Sequence, residues 1–183
     1  MVMMVILGAL AALVLYGVFL YNKLVRLRNT VRSSWADIDV MLKKRYNLVD
    51  NLVEIVKGYA AHEKGVLEGV TEARVKAMAS SGPQEKSKTE NVFKETLKSL
   101  FAVVENYPDL KANENFLQLQ KDLVEIENGI EYARRYYNAV VRDYNTMTEV
   151  FPSNLIAGQF GFEVAAFFEL ESPEEGKPVD VNL

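Results

Sequence analysis

The first charged side chain in the chain is Lys23, and the run before it, MVMMVILGALAALVLYGVFLYN, is apolar or small apart from its rims. At about 1.5 Å per helical residue this stretch reaches roughly 33 Å, enough to cross a hydrocarbon core of about 30 Å. Residues 1–22 therefore read as a transmembrane anchor. Tyr16 and Tyr21 lie toward its charged end, where an amphipathic ring rests at headgroup level. A cleavable signal peptide fits this run poorly, because no Lys or Arg precedes it and bulky Tyr16, Phe19, Leu20 and Tyr21 stand where small residues would be cut. A buried core helix fits no better, since the remaining chain would have to cover every face of it.

Lys23, Arg26, Arg28 and Arg32 follow the anchor, and only the α-amino group precedes it. The positive-inside rule then predicts a short N-terminus outside and the large C-terminal part in the cytoplasm. The same four cations suit anionic headgroups, at about 1 kcal/mol per charge near the surface. The expected localisation is thus the cell membrane, by a single pass, with the bilayer itself as one partner.

The remainder has room for one ordinary domain with a real core. Cysteine is absent, which excludes disulfides, thiol nucleophiles and cysteine metal sites. The net charge of −4 is uneven: residues 23–57 carry eight cations against four acids, and residues 163–183 carry six acids against Lys177. A nucleic-acid surface needs clustered basic residues away from the bilayer, so no nucleic-acid partner is expected. A run such as Lys43, Lys44, Arg45 is usually just a solvated helix face.

From Val18 to Lys57 there is no Gly or Pro, so the anchor should continue as a stalk into the domain. Apolar positions recur at steps of four and three through Val31, Trp35, Ile38 and Leu42, then Val49, Leu52, Val56 and Tyr59, then Val66, Val70, Ala73 and Ala77. This is a helical period of about 3.5 residues, interrupted at Arg45 and Glu63. Gly82 and Pro83 end the first helix, and Ser80–Thr89 reads as a polar turn. A second helix carries Phe93, Leu97, Leu100, Val104 and Tyr107 before Pro108 breaks it. A third, capped near Asn113, carries Leu119, Leu123, Ile126, Ile130, Ala133, Tyr137, Val140, Tyr144, Met147 and Phe151. Pro152 ends it, Ser153 can cap a short fourth helix, and Gly158 and Gly161 loosen the chain.

The predicted fold is all-α: an N-terminal transmembrane helix continuing into an antiparallel up-and-down bundle of three long helices plus a short fourth. The expected division is an anchor over 1–22, a bundle over 23–171 and a disordered acidic tail over 172–183. An intermolecular coiled coil would use the same stripes, but the turns at Gly82/Pro83 and Pro108 favour folding back within one chain.

No catalytic set emerges. His62 is the sole histidine, Tyr59 stands three positions before it, and a Glu-x-x-His di-iron motif is therefore excluded. Phosphate-loop, dinucleotide and nucleophile-elbow signatures are missing. Asp37, Asp39, Asp50 and Glu54 more often pair with neighbouring Lys and Arg than gather a cation. No cofactor and no metal are expected, and the chain reads as a non-enzyme. Arg45 falls on the core stripe, either paired with a glutamate of the third helix (Glu125, Glu127 or Glu131) to fix register, or snorkelling to the surface. Glu131 stands in favourable i,i+4 order with Arg135. Candidate interaction or register residues are Trp35, Asp37, Arg45, Asp50, Glu54, His62, Glu131, Arg134 and Arg135. The dipeptide Tyr-Asn recurs at Tyr21, Tyr46, Tyr137 and Tyr144, whose hydroxyls need partners within a bundle.

Three long segments carry a family likeness: YNKLVRLRNTVRSSWADIDVMLKKRYNLVDNLVEIVKGYAAHE, YPDLKANENFLQLQ and ARRYYNAVVRDYNTMTEVFPSNLIAGQFGF. On these the chain resembles the LemA family of bacterial membrane proteins along almost its whole length. The resemblance implies a single N-terminal transmembrane helix, a short extracellular N-terminus and a cytoplasmic helical bundle. It implies no reaction and carries over no catalytic residue. The expected role is a membrane-anchored interaction or scaffold module with an unknown protein partner. The alternative is an extracytoplasmic sensor or ligand-binding bundle, which requires the opposite topology.

Overall fold

In the computed structural model residues 1–169 are described, and all regular structure among them is helical. The absence of helix breakers after Val18 has its consequence in α1, Val2–Tyr59, a single helix of 58 residues. Its apolar part holds a stretch long and apolar enough to cross a membrane, none of it buried. The four-three rhythm is kept on one side: Val31, Ile38, Leu42, Val49, Leu52 and Val56 are all buried. Each such side chain withdrawn from water contributes about 1.5–3 kcal/mol.

The first helix does not run on to Ala77 as its periodicity predicts. It ends at Tyr59, the Ala60 and Glu63 amides bond to Val56 and Ala60 carbonyls, and α2 starts at Lys64 and runs to Ala79. Arg74 of α2 reaches Asp50 of α1 at 2.9 Å, so α2 doubles back along α1. Gly58 weakens the last turn of α1 by about 1 kcal/mol relative to Ala, and of the link that follows only the small Ala60 is buried. Tyr59, placed on the stripe by its spacing, is exposed beyond the useful end of the helix.

The polar stretch Ser80–Thr89 is also not a loop. α3, Gly82–Val104, begins at Gly82 with Pro83 in its first turn, where the missing amide hydrogen costs nothing. Gly82 opens it at φ +75°, a backbone conformation that suits a residue without Cβ. The one-turn α4, Pro108–Lys111, leads into α5, Glu114–Glu149. Asn113 caps α5, its Oδ1 accepting the Phe116 amide at 3.0 Å. The last helix, α6, is Ser153–Phe160, closed by Gly161 at φ +68°. Ser153 does not cap it: Oγ donates backwards to the Val150 carbonyl at 2.9 Å. Phe151, the last stripe position of the third helix by its spacing, lies past the end of α5 and is exposed. The expected tail over 172–183 falls outside the described residues.

The described residues group into two compact units, the first of residues 1–39 with 132–167, the second of 40–131 with the chain from Phe168. In the first, Leu24, Val31 and Ile38 of α1 are buried with Tyr137, Val141 and Tyr144 of α5. Trp35 is half-buried, its ring 5.4 Å from that of Tyr137. Beyond α6 the chain has no regular structure and is held by polar groups of α5. Asn145 grips Ala165 twice, donating to its carbonyl at 2.9 Å and accepting its amide at 2.8 Å, while the Tyr137 hydroxyl donates to the Ala166 carbonyl at 2.8 Å.

In the second unit α1, α2, α3 and α5 pack as alternating antiparallel helices. The core holds Leu52 and Val56 of α1, Val70 and Ala77 of α2, Phe93 and Leu100 of α3, and Leu123 and Ile130 of α5. Close approach of α5 to α1 uses Gly129, where an added Cβ would come within 3.4 Å of the Met41 sulfur.

Burial pushes the Tyr137 phenol up from 10.0 to about 12. A folded-state pKa above the unfolded one stabilises the fold fully below pH 10 and loses that contribution as pH rises through 12. Ultraviolet titration should therefore show a late-ionising tyrosine that Tyr137→Phe removes, and stability should fall across the same window. Disappearance of no late phase in Tyr137→Phe would contradict the buried phenol.

Candidate functional site

The four-three rhythm of α1 places Arg45 between Leu42 and Val49, on the side that faces the second unit's interior. Its side chain is 2 % exposed. A guanidinium cannot shed its charge, so at this depth it needs anionic partners. Two glutamates supply them. Glu90 of α3, 1 % exposed, pairs with Nη2, and Glu127 of α5 receives Nη1 on both carboxylate oxygens at 2.9 and 3.2 Å. The guanidinium also lies over the Phe93 ring, 5.2 Å from its centroid.

The Tyr46 hydroxyl donates to Glu90 as well. Lys86, one turn earlier on α3, is buried, with Nζ donating to the Ala77 carbonyl of α2 at 2.8 Å and lying 5.9 Å from the Tyr46 ring. Arg45 and Lys86 against Glu90 and Glu127 give two charges of each sign, and the group ties α1, α2, α3 and α5 of this unit together. Among the described residues the Arg45 Nε and the buried Ser87 hydroxyl have no hydrogen-bond partner. The cluster is a charged clamp in which the guanidinium and the ammonium bridge neighbouring helices of this unit.

Glu127, not Glu131, is the α5 residue that meets Arg45; Glu131 is exposed one turn further on. Arg134 is half-buried, and Arg135 stacks over the Tyr132 ring at 5.2 Å. Asp50 is taken up by Arg74, and Asp37, Glu54 and His62 are exposed, His62 in the link between α1 and α2. No group of three or more His, Asp or Glu that could hold a metal occurs among the described residues. Near the anchor, Tyr16 is exposed beside Phe19 at 6.5 Å, while Tyr21 packs against Phe160 and Phe162 at 4.9 and 5.7 Å. Lys23, Arg26 and Arg32 are exposed, and Arg28 is half-buried over the Phe162 ring at 4.8 Å.

Glu90 and Lys86 escaped the sequence reading because Ser80–Thr89 read as a turn. A signal was present: Lys86, Glu90, Phe93, Leu97, Leu100 and Val104 keep the same four-three steps, so both polar residues lie on the core stripe of α3.

The second unit also has an open groove of about 810 Å³ between α1 and α2. Val53, Leu67 and Val75 give it an apolar lining, and Lys57, Lys64, Glu68, Glu72 and Lys76 a rim of mixed charge.

The LemA family model matches residues 34–183. The chain belongs to the LemA family. The match starts one residue before Trp35 and takes in the rest of α1, the clamp, the groove and α6. Among its relatives, magnetosome protein MamQ 2 of Paramagnetospirillum magneticum is 26 % identical over 87 % of this chain and 68 % of its own length. Magnetosome protein MamQ of Magnetospirillum gryphiswaldense is 24 % identical over the same shares. Protein LemA of Metamycoplasma hominis is 26 % identical over 88 % of this chain and 73 % of its own.

Glu127 is 39 % exposed while Arg45 and Glu90 are buried, so removing Arg45 strands Glu90 in the interior. Arg45→Met should lower the stability of the second unit by about 3–5 kcal/mol in urea, and replacing Glu90 and Glu127 by Met and Gln alongside it should restore most of that loss. A single Arg45→Met at wild-type stability would show that the clamp does not hold the helices in register.

Proposed function

We propose that this LemA-family protein is a single-pass, membrane-anchored scaffold that presents a helical docking surface and performs no reaction of its own. The observation that carries the reading is α1: one helix holds the unburied apolar span and, further along, one wall of the groove between α1 and α2. A tether and a recognition surface on one chain keep that surface at the membrane, which raises the local concentration of any membrane-bound partner. The groove has the features of a helix-binding surface: an apolar floor at Val53 and Leu67 and rim charges of both signs. The occupant that suits it is an amphipathic helix of a protein partner.

Orientation is part of the same proposal. Lys23, Arg26, Arg28 and Arg32 beside the span favour a cytoplasmic bundle. The clamp of Arg45 and Glu90, with Lys86 of α3 on the Ala77 carbonyl of α2, links the two groove helices through α3 and is a positioning device for that surface.

A photo-crosslinking residue at Val75, on the groove, should trap a reproducible protein in native membranes, and the same residue at Val92 on α3 should not. Val75 and Val92 are 55 % and 57 % exposed, so either substitution leaves the core alone. Failure to trap any recurring partner from Val75 would contradict the docking role.

A further inference from the structure

The longest uncharged stretch after the anchor is Val150–Phe162, VFPSNLIAGQFGF, with Glu149 before it and Glu163 after it. Connections of this kind run through water and are polar; this one exposes large apolar side chains. Phe151 is 78 % exposed, Leu155 61 % and Phe160 57 %, and Val164 just beyond is 61 % exposed. A contiguous apolar surface rimmed by charge marks a membrane or protein contact.

Its position within the first unit decides which. Ile156 of α6 lies against Gly17 of α1, its Cδ1 3.9 Å from where a Cβ on that glycine would be. Residues 1–16 are all exposed, and the first cover on α1 appears at Gly17 and Leu20. Gly17 precedes Lys23, the first charge, by six residues. At about 1.5 Å per residue, α6 therefore sits about 9 Å to the apolar side of the basic collar. Interfacial helices bury their apolar face about 5–10 Å into the boundary between headgroups and acyl chains. Phe160 and Phe162 meet Tyr21 in edge-on contacts and Arg28 lies over Phe162, which places an aromatic group at the level of the collar.

We propose that Val150–Phe162, centred on α6, is a second membrane contact: its exposed apolar residues enter the lipid interface beside α1. This rests on the reading of the apolar part of α1 as membrane-spanning. The bilayer, rather than a protein, is the occupant, because α6 packs directly on the span at a depth where lipid surrounds it. Two attachment points on the first unit restrict its tilt and rotation at the membrane, which a single span leaves free.

The full chain, reconstituted in phosphatidylcholine and phosphatidylglycerol vesicles with brominated acyl chains, tests this by tryptophan quenching. Trp35 is the sole tryptophan, so Trp35→Phe gives a silent background that keeps a ring against Tyr137. Leu155→Trp and, separately, Phe151→Trp should each lose fluorescence by about twofold or more on bromination, as a reporter within 5–10 Å of the interface does. Leu13→Trp, in the span, should be quenched, and Tyr132→Trp, 70 % exposed on α5, should not. Quenching of Leu13→Trp without quenching of Leu155→Trp and Phe151→Trp would overturn the second contact and leave the anchor standing. An unquenched Leu13→Trp would overturn the anchor and the contact with it. Equal quenching of Tyr132→Trp would overturn the assignment to α6 by showing that α5 meets lipid as well.

Discussion

An α-helix that leaves an apolar span has no reason to stop until a residue breaks its hydrogen-bond ladder, and in this chain none does so between Val18 and Lys57. The rest of the structure depends on that continuity. The same helix supplies the unburied apolar stretch, the wall on which α5 packs in each unit, and the residue, Arg45, that pairs with α3 and α5 of the second unit. A break near the collar would separate anchoring from register. With the helix intact, the backbone carries both.

Arg45 gives that helix a preferred set of neighbours. An apolar stripe with a four-three rhythm packs nearly as well after a shift of one heptad, because every layer resembles the next. On the proposed reading, the buried guanidinium between Glu90 and Glu127 favours one alignment over the others, since a slip leaves Arg45 or Glu90 unpaired in the core. Lys86 on the Ala77 carbonyl extends the same logic to α2. The first unit uses neutral groups instead: Asn145 and the Tyr137 hydroxyl hold the chain after α6 by its backbone. Two of the recurring Tyr-Asn pairs are thus spent on fixing the segment that follows the proposed lipid contact.

The fold class was legible because it depends on period and breakers, both of which are local. The boundaries of α1 and α2 were not. Gly58 and the link after it reverse the chain, and the stripe on either side keeps the same rhythm whether the helix continues or folds back; the Asp50–Arg74 ion pair is what separates the two. In α3 the error had a different origin. Gly, Pro and Ser at its start resemble a turn, yet Pro in a first helical turn is favourable, and Lys86 and Glu90 lie in phase with Phe93. A polar residue on a stripe position looks like the end of the stripe unless a partner of opposite charge is already known. Arg45 stands out because apolar stripe positions continue on both sides of it, whereas Lys86 and Glu90 precede the first apolar position of their stripe, Phe93. The sequence pattern puts Phe151 on the stripe of the third helix and Leu155 in a short capped helix; that both are exposed is a tertiary property that sequence alone does not report.

Site-directed spin labelling of full-length protein in vesicles tests the central claim most directly, with one label at a time from Phe19 to Val31 and accessibility to oxygen and to a water-soluble nickel complex measured at each. An unbroken α1 that leaves the bilayer at the collar predicts accessibility with a continuous period of about 3.6 residues, oxygen dominating before Lys23 and the nickel complex after it. A loss of periodicity between Tyr21 and Arg28, or nickel access throughout, would contradict a single helix that is both anchor and bundle element.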